Sequence, residues 1–215
     1  SIEKIHPSLK IERAAGSIFA SRLTQQETPF LVVFPGGQCS TWDTTLNKES
    51  IRSIRKFIKK GGSALMVCAG AYFAAKRSLF HLSEGIIEKE RTLKFFAGTV
   101  EGPFLSPPTI PNGPVKNLIT KIRWQDGSEG SVYIYGGGQF HPEDDATNYE
   151  VLARYCSDES IAIVKCNVDK GTVILSSVHL EFDEIPEGVI SQFTDANTEV
   201  NTALRESKGF RHEGL

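Results

Sequence analysis

Two short apolar runs constrain this chain more than any other feature. Phe30-Leu31-Val32-Val33-Phe34 ends in Pro35-Gly36-Gly37, and Ala64-Leu65-Met66-Val67 ends at Cys68, followed by Ala69-Gly70-Ala71. Short uninterrupted apolar runs closed by turn formers and small residues read as strands buried on both faces, the kind that fill a parallel sheet. Between them Ile51, Ile54 and Ile58 recur at helical spacing with Arg and Lys interspersed, and Gly61-Gly62 supplies a glycine stop. A further helix is expected over Ala69 to Lys76. Strand, helix, strand and helix in this order imply right-handed crossovers. The expected fold is therefore α/β, with a mainly parallel sheet sandwiched by helices.

The rest of the chain is read more coarsely. Ser1 to Leu9 carries Ile2, Ile5 and Leu9 on one side and is expected as a helix, with Lys10 to Ala14 as a short strand. Residues 101–113 hold Pro103, Pro107, Pro108 and Pro111 and read as a long loop. Val132 to Tyr135 reads as a strand running into Gly136-Gly137-Gly138. Ile161 to Cys166 and Thr172 to Ser176 flank Asp169-Lys170-Gly171, a hairpin pattern. Gly188 to Glu206 reads as helical, within a C-terminal helix and tail over 188–215. Residues 1–215 are expected to form one domain, long enough to bury roughly 70% of the surface of the unfolded chain.

Composition closes off several classes. A formal net charge of −2 lacks the basic excess of a nucleic-acid protein. No apolar run reaches the roughly 18–20 residues of a membrane span. The cysteines at 39, 68, 156 and 166 form no Cys-x-x-Cys pair and are too sparse for a disulfide scaffold. A reducing, cytoplasmic compartment is the simplest reading, although the chain begins at Ser1 and a leader could have been removed. Gly136-Gly137-Gly138 is not the G-x-G-x-x-G fingerprint, so no dinucleotide, and no other cofactor or metal, is expected.

The chemistry centres on Cys68. A cysteine between a buried strand and a helix has backbone N–H groups beside it that favour a thiolate and can hold an oxyanion. The competing reading is a small buried core residue, the common state of free cysteine. His179 and Glu181 follow the last strand of the hairpin, and residues at i and i+2 of an extended segment face the same side, so the acid can orient the imidazole. His141-Pro142-Glu143, followed by Asp144 and Asp145, offers a second histidine as base or metal loop; its turn-like acidic context favours a solvated loop. Pro35-Gly36-Gly37 can turn backbone amides toward a site at the strand's carboxyl end.

Val33-Phe34-Pro35-Gly36-Gly37, Gly61-Gly62 and Val67-Cys68-Ala69-Gly70-Ala71-Tyr72-Phe73-Ala74 together resemble the class I glutamine amidotransferase-like superfamily, a flavodoxin-like fold. More narrowly, they resemble the N-terminal domain of eukaryotic-type biotin–protein ligases. Phe95 to Thr99 with Gly102-Pro103, Tyr135 to Phe140, Lys170 to Ser176, and His179 with Glu181-Phe182 continue that resemblance in order. It implies Cys68 as nucleophile, His179 as base and Glu181 as orienting acid. It implies an oxyanion hole from the amides of Ala69 and of Gly36 or Gly37, with Tyr72, Gly137 and Gly138 lining the substrate pocket. This fold usually opens on a strand ahead of the first helix; here that strand is expected to be missing, or supplied by a second chain.

Three departures shape the expected function. Met66 stands where the superfamily usually has glycine. His179-Leu180-Glu181 replaces His-Pro-Glu. Tyr72 and Phe73 stand where glutamine-hydrolysing members carry a polar grip on the substrate. No Gly-Arg-Gly-Arg loop of a biotin ligase is present, so the chain is not expected to be a biotin ligase by itself. Two readings follow. One is a cysteine-dependent amidohydrolase or acyl transferase acting on a small-molecule amide or biotin-like ligand. The other is a non-catalytic small-molecule-binding or regulatory domain linked to biotin–protein ligase. Cys39, just past the glycine loop, is expected near Cys68, which leaves a redox pair as a distant third.

Overall fold

The computed structural model describes residues 11–14, 16–25, 31–104, 119–182 and 197–207. Helix α1 spans Gly16–Gln25 and strand β1 spans Leu31–Phe34. Helices α2 (Cys39–Thr45) and α3 (Lys48–Lys59) precede β2 (Ser63–Val67), and α4 covers Ala69–Ala74. Next come β3 (Ala75–Leu82), β4 (Gly85–Glu90), β5 (Phe96–Gly102), β6 (Ile119–Trp124), β7 (Glu129–Tyr133) and β8 (Gln139–Pro142). Strands β9 (Tyr149–Tyr155), β10 (Ile161–Val168) and β11 (Gly171–Ser176) follow, then helix α5 (Asn197–Glu206).

All eleven strands join one sheet in the order β1-β2-β11-β10-β8-β5-β3-β4, with β9 on β10, β6 on β9 and β7 on β6. The fold is α/β, as the strand–helix alternation implies. Its parallel share is smaller than expected: β1, β2 and β11 run parallel, as do β3 and β5, and the other ladders are antiparallel. Hairpins need no crossover helix, and β3–β4, β6–β7 and β10–β11 are antiparallel neighbours joined by such short connections.

The α3 segment shows why these residues fold as they do. Asn47 caps it by accepting the Ser50 N–H at 2.9 Å, and Ile54 and Ile58 are buried at helical spacing. They enter a core with Val32, Phe34, Met66, Phe73, Val173 and Leu175. A second cluster, with Ile122, Val132, Tyr155, Ile163 and Val178, fills the curl of β6, β7, β9 and β10. Burial of a side chain of this size stabilises by about 1.5–3 kcal/mol.

Several expectations need correction. Residues 11–14 are exposed and form no strand; a Glu12–Arg22 ion pair at 2.9 Å links them to α1. Strand β1 is buried on one face only, with Leu31 44% and Val33 40% exposed, because no described element covers that side. The helix after Cys68 stops at Ala74, since Ala75 and Lys76 already belong to β3, where pairing with β4 and β5 replaces helical bonds. Strand β7 ends at Tyr133, and Ile134 and Tyr135 lead into the glycine turn. The hairpin stands as expected, with Asp169 in the left-handed region at φ 55°. The expected loop over 101–113 starts later, since Glu101 and Gly102 pair within β5; its residues 105–113, the expected helix over 1–9 and 188–196 of the expected C-terminal helix lie outside the described residues.

Candidate active site

The parallel ladder brings three carboxyl ends together. Phe34 stands opposite Met66, and Ser176 opposite Val67, so Gly36, Cys68 and the segment after β11 emerge side by side. This is where open α/β sheets place their sites. The Cys68 N–H donates to the Ser176 carbonyl at 2.7 Å, and the His179 N–H donates to the Tyr133 carbonyl at 2.8 Å. Backbone bonds therefore fix both residues before any side chain is considered.

Cys68 adopts φ 51° and ψ −105°, a conformation that side-chain-bearing residues rarely hold. Such strain costs on the order of 1–3 kcal/mol and is typical of a nucleophile on a strand-to-helix turn. The Cys68 carbonyl accepts the Ala71 N–H at 2.9 Å to start α4. The residue is only 5% exposed, and its thiol donates to the Tyr135 carbonyl at 3.4 Å.

His179 is 7% exposed, with Nδ1 2.7 Å from Glu181 Oε1. Burial pulls the imidazole pKa down, but hydrogen bonds with Cys68 and Glu181 and the negative charges beside it outweigh that pull and hold it at about 9. The ring packs between Tyr133, with centroids 5.3 Å apart, and Phe182, at 5.2 Å. A Cβ added to Gly36 would stand 2.5 Å from His179 Cε1 and 3.4 Å from Cys68 Cβ, so only glycine fits there. Gly37, at φ 136°, faces open space.

Each remaining site residue has a definite place. The amide of Ala69 opens α4 directly after Cys68. The Tyr72 hydroxyl donates to the Gly136 carbonyl at 2.9 Å, and its ring lies edge-on to Phe80. Gly137 and Gly138 are buried, and a Cβ on either would strike backbone, at Ser177 and Glu101 respectively. Phe73 lies in the core against Trp42, away from the position expected of it as pocket bulk, because alternate residues of a short helix face different sides. Cys39 is a free thiol at the start of α2; burial pushes it up to about 11, and negative charge at Cys68 acts in the same direction.

The second histidine motif is occupied elsewhere. His141 Nε2 lies 3.3 Å from Glu101 Oε2, whose other oxygen lies 2.6 Å from His81 Nε2, while Glu143 pairs with Lys76. Among the described residues no group of His, Cys, Asp and Glu is arranged to hold a metal ion, and no helix is long and apolar enough to cross a membrane. Residue reading missed the Tyr135 carbonyl and the rings of Tyr133 and Phe182. Tyr135 and Phe182 both lie in motifs that were legible, but a main-chain acceptor and a ring packed on a neighbour leave no mark in residue type.

Comparison with known proteins settles the family. A family model described as the N-terminal region of biotin–protein ligase matches residues 8–213. The chain belongs to the biotin–protein ligase N-terminal family. A curated biotin–protein ligase of Schizosaccharomyces pombe is 32% identical over 176 residues, which is 76% of this chain and 28% of that protein. An uncharacterized protein of Chlamydia muridarum is 28% identical over 183 residues, 83% of this chain and 70% of its own length. This member of the family thus spans little more than a quarter of the fission-yeast ligase. Among solved structures, a glutamine amidotransferase aligns over 69% of each chain at 18% identity, with a TM-score of 0.49.

Proposed function

We propose that this family member is a cysteine-dependent amidohydrolase or acyl transferase acting on a small amide, with Cys68 as nucleophile, His179 as base and Glu181 as orienting acid. One observation carries the reading: a buried cysteine in a strained turn and an imidazole whose Nδ1 is held by a carboxylate at 2.7 Å both lie against Gly36, where an added Cβ would stand 3.4 Å from Cys68 Cβ and 3.3 Å from His179 Nε2. Nucleophile, base and orienting group in that sequence are the general pattern of covalent acyl transfer.

In this reading the neutral form of His179 takes the thiol proton, and the sulfur attacks the amide carbon. The carbonyl oxygen takes the negative charge and is met by the amides of Ala69 and of Gly36 or Gly37. Collapse of the intermediate expels the amine, which takes the imidazolium proton, and leaves an S-acyl enzyme. Water, deprotonated by the now neutral His179, or an acceptor amine, then receives the acyl group. Tyr72, Gly137 and Gly138 form the wall behind the turn. A flat, apolar-bodied ligand with one amide or carboxylate end, such as a biotinyl amide, suits that wall. The proposal extends to one domain over residues 1–215, a cytoplasmic location, and association with a biotin–protein ligase or a second chain completing the sheet.

The alternative is a non-catalytic binding or regulatory domain. It is favoured by the Tyr135 carbonyl, which accepts the Cys68 S–H at 3.4 Å and so engages the thiol hydrogen away from His179. Alkylation separates the two. Iodoacetamide near neutral pH, with peptide mapping, is expected to label Cys68 ahead of Cys156, although Cys156 is the more exposed, and His179→Ala should slow that labelling. Equal rates at both cysteines, unchanged by the substitution, would favour the binding domain.

A further inference from the structure

We propose that the main-chain carbonyl of Tyr135 is a specificity-determining group that accepts an N–H from the ligand, so that the site takes secondary or primary amides and ureas in preference to esters. The proposal rests on the reading of Cys68 as nucleophile and adds the chemical class of its substrate.

The geometry is local and rigid. Tyr135 O lies 3.4 Å from Cys68 Sγ, on the sulfur's own side of the turn. The next three carbonyls each accept a bond. Gly136 O takes the Tyr72 hydroxyl at 2.9 Å, Gly137 O takes the Phe104 N–H at 2.7 Å, and Gly138 O takes the Tyr155 hydroxyl at 2.7 Å. Tyr155 is fully buried, and Phe104 stacks on it with centroids 3.7 Å apart and rings 12° from parallel. The turn cannot swing the Tyr135 carbonyl away without breaking this chain of bonds.

The consequence follows from counting donors. In the resting protein the thiol proton satisfies Tyr135 O. Once that proton moves to His179, the carbonyl faces an anionic sulfur with nothing donated to it, an arrangement in which both partners are acceptors. A planar amide reaching the sulfur carries its N–H one bond from its carbonyl carbon, close enough to fill the vacated position. An ester of the same size presents an oxygen there instead, and two acceptors then repel. A site built around a main-chain acceptor discriminates most strongly against the analogue that lacks the N–H.

Two isosteric electrophiles test this without a known substrate. N-methylchloroacetamide and methyl chloroacetate differ by N–H against O, and each loses chloride to a thiolate to give a thioether. Their rates at Cys68 are divided by their rates with glutathione, which removes intrinsic reactivity. The amide is expected to be favoured at Cys68 by about tenfold beyond the glutathione ratio, one hydrogen bond's worth, with no excess at Cys156. Tyr155→Phe, which frees Gly138 O, should shrink the excess while leaving the ester's rate at Cys68 in place; an excess it leaves unchanged would overturn the clamp. No amide excess at a Cys68 whose alkylation still depends on His179 would overturn the proposal and leave the nucleophile assignment standing. A Cys68 no faster than Cys156 with either probe, and indifferent to His179→Ala, would overturn both.

Discussion

Gly36 is the surface on which the His179 ring rests: a methyl group there would stand 2.5 Å from Cε1 and 3.3 Å from Nε2. The Pro35-Gly36-Gly37 turn therefore shapes the site by what it omits. Gly36→Ala should leave the fold in place, because β1 ends at Phe34, but rotate the imidazole away from the sulfur. Iodoacetamide labelling of Cys68 at neutral pH is expected to fall by about a hundredfold or more, the usual contribution of a positioned base. A wild-type labelling rate in a folded Gly36→Ala protein would show that the ring does not depend on this contact.

The Glu181 carboxylate should control the charge of His179. Burial favours the neutral ring, and bonds with Cys68 and Glu181 reverse that to a value of about 9. Glu181→Gln keeps an acceptor but removes the charge, so the imidazole should titrate at lower pH than in the wild type. Nitrogen-detected imidazole NMR of both proteins measures this directly; unchanged titration would mean that Cys68 alone sustains the cation.

The same shift predicts how stability depends on pH. A histidine whose folded value lies above its unfolded one contributes fully below the unfolded value of about 6.5. That contribution is lost as pH rises through about 9. The full span from 6.5 to about 9 corresponds to roughly 3 kcal/mol, an upper limit because other groups titrate in the window. Urea midpoints at pH 6 and pH 9.5 should fall further in the wild type than in His179→Gln. Parallel losses in the two proteins would remove His179 as the cause.

What the sequence made legible was the part written in side-chain pattern. Leu31–Phe34, the Ile51-Ile54-Ile58 stripe, Ala64–Val67 and the Asp169 hairpin all form the elements that the pattern placed there, because each element's type is encoded locally. Cys68, His179 and Glu181 were legible because cysteine, histidine and glutamate are distinctive residue types at element ends. The run from Ala75 to Glu90 was not: β3 and β4 carry mixed polar surfaces, with every residue of β4 exposed, so their pairing rather than their pattern defines them. Phe73 misled because an aromatic beside a nucleophile reads equally as pocket or core, and only the packing against Trp42 decides.

Cysteine reactivities should follow burial as well as position. Cys166 is fully buried and its thiol is pushed up to about 12, while Cys39 is pushed up to about 11. Near neutral pH both hold a negligible thiolate fraction, since only the thiolate reacts. The expected order of labelling is Cys68 first, then Cys156, with Cys39 and Cys166 last. Early labelling of Cys39 would signal that α2 opens in solution and exposes it.

Free glutamine should not be hydrolysed appreciably. A glutamine site must partner an ammonium and a carboxylate, and burying either without a partner is costly. The side chains next to the nucleophile offer none: the Tyr72 hydroxyl is committed to Gly136 O, and Phe73 is sealed in the core. A ligand with an apolar body and a single amide or carboxylate end avoids that cost, so biotin or biotinyl-lysine should give a binding isotherm by calorimetry where glutamine gives none. Ammonia release from glutamine that disappears in Cys68→Ala would overturn the first half, because that substitution removes only the sulfur. Absence of heat with both biotin compounds, in a protein whose Cys68 still labels fast, would overturn the second half and direct the search for the amide to other chemistry.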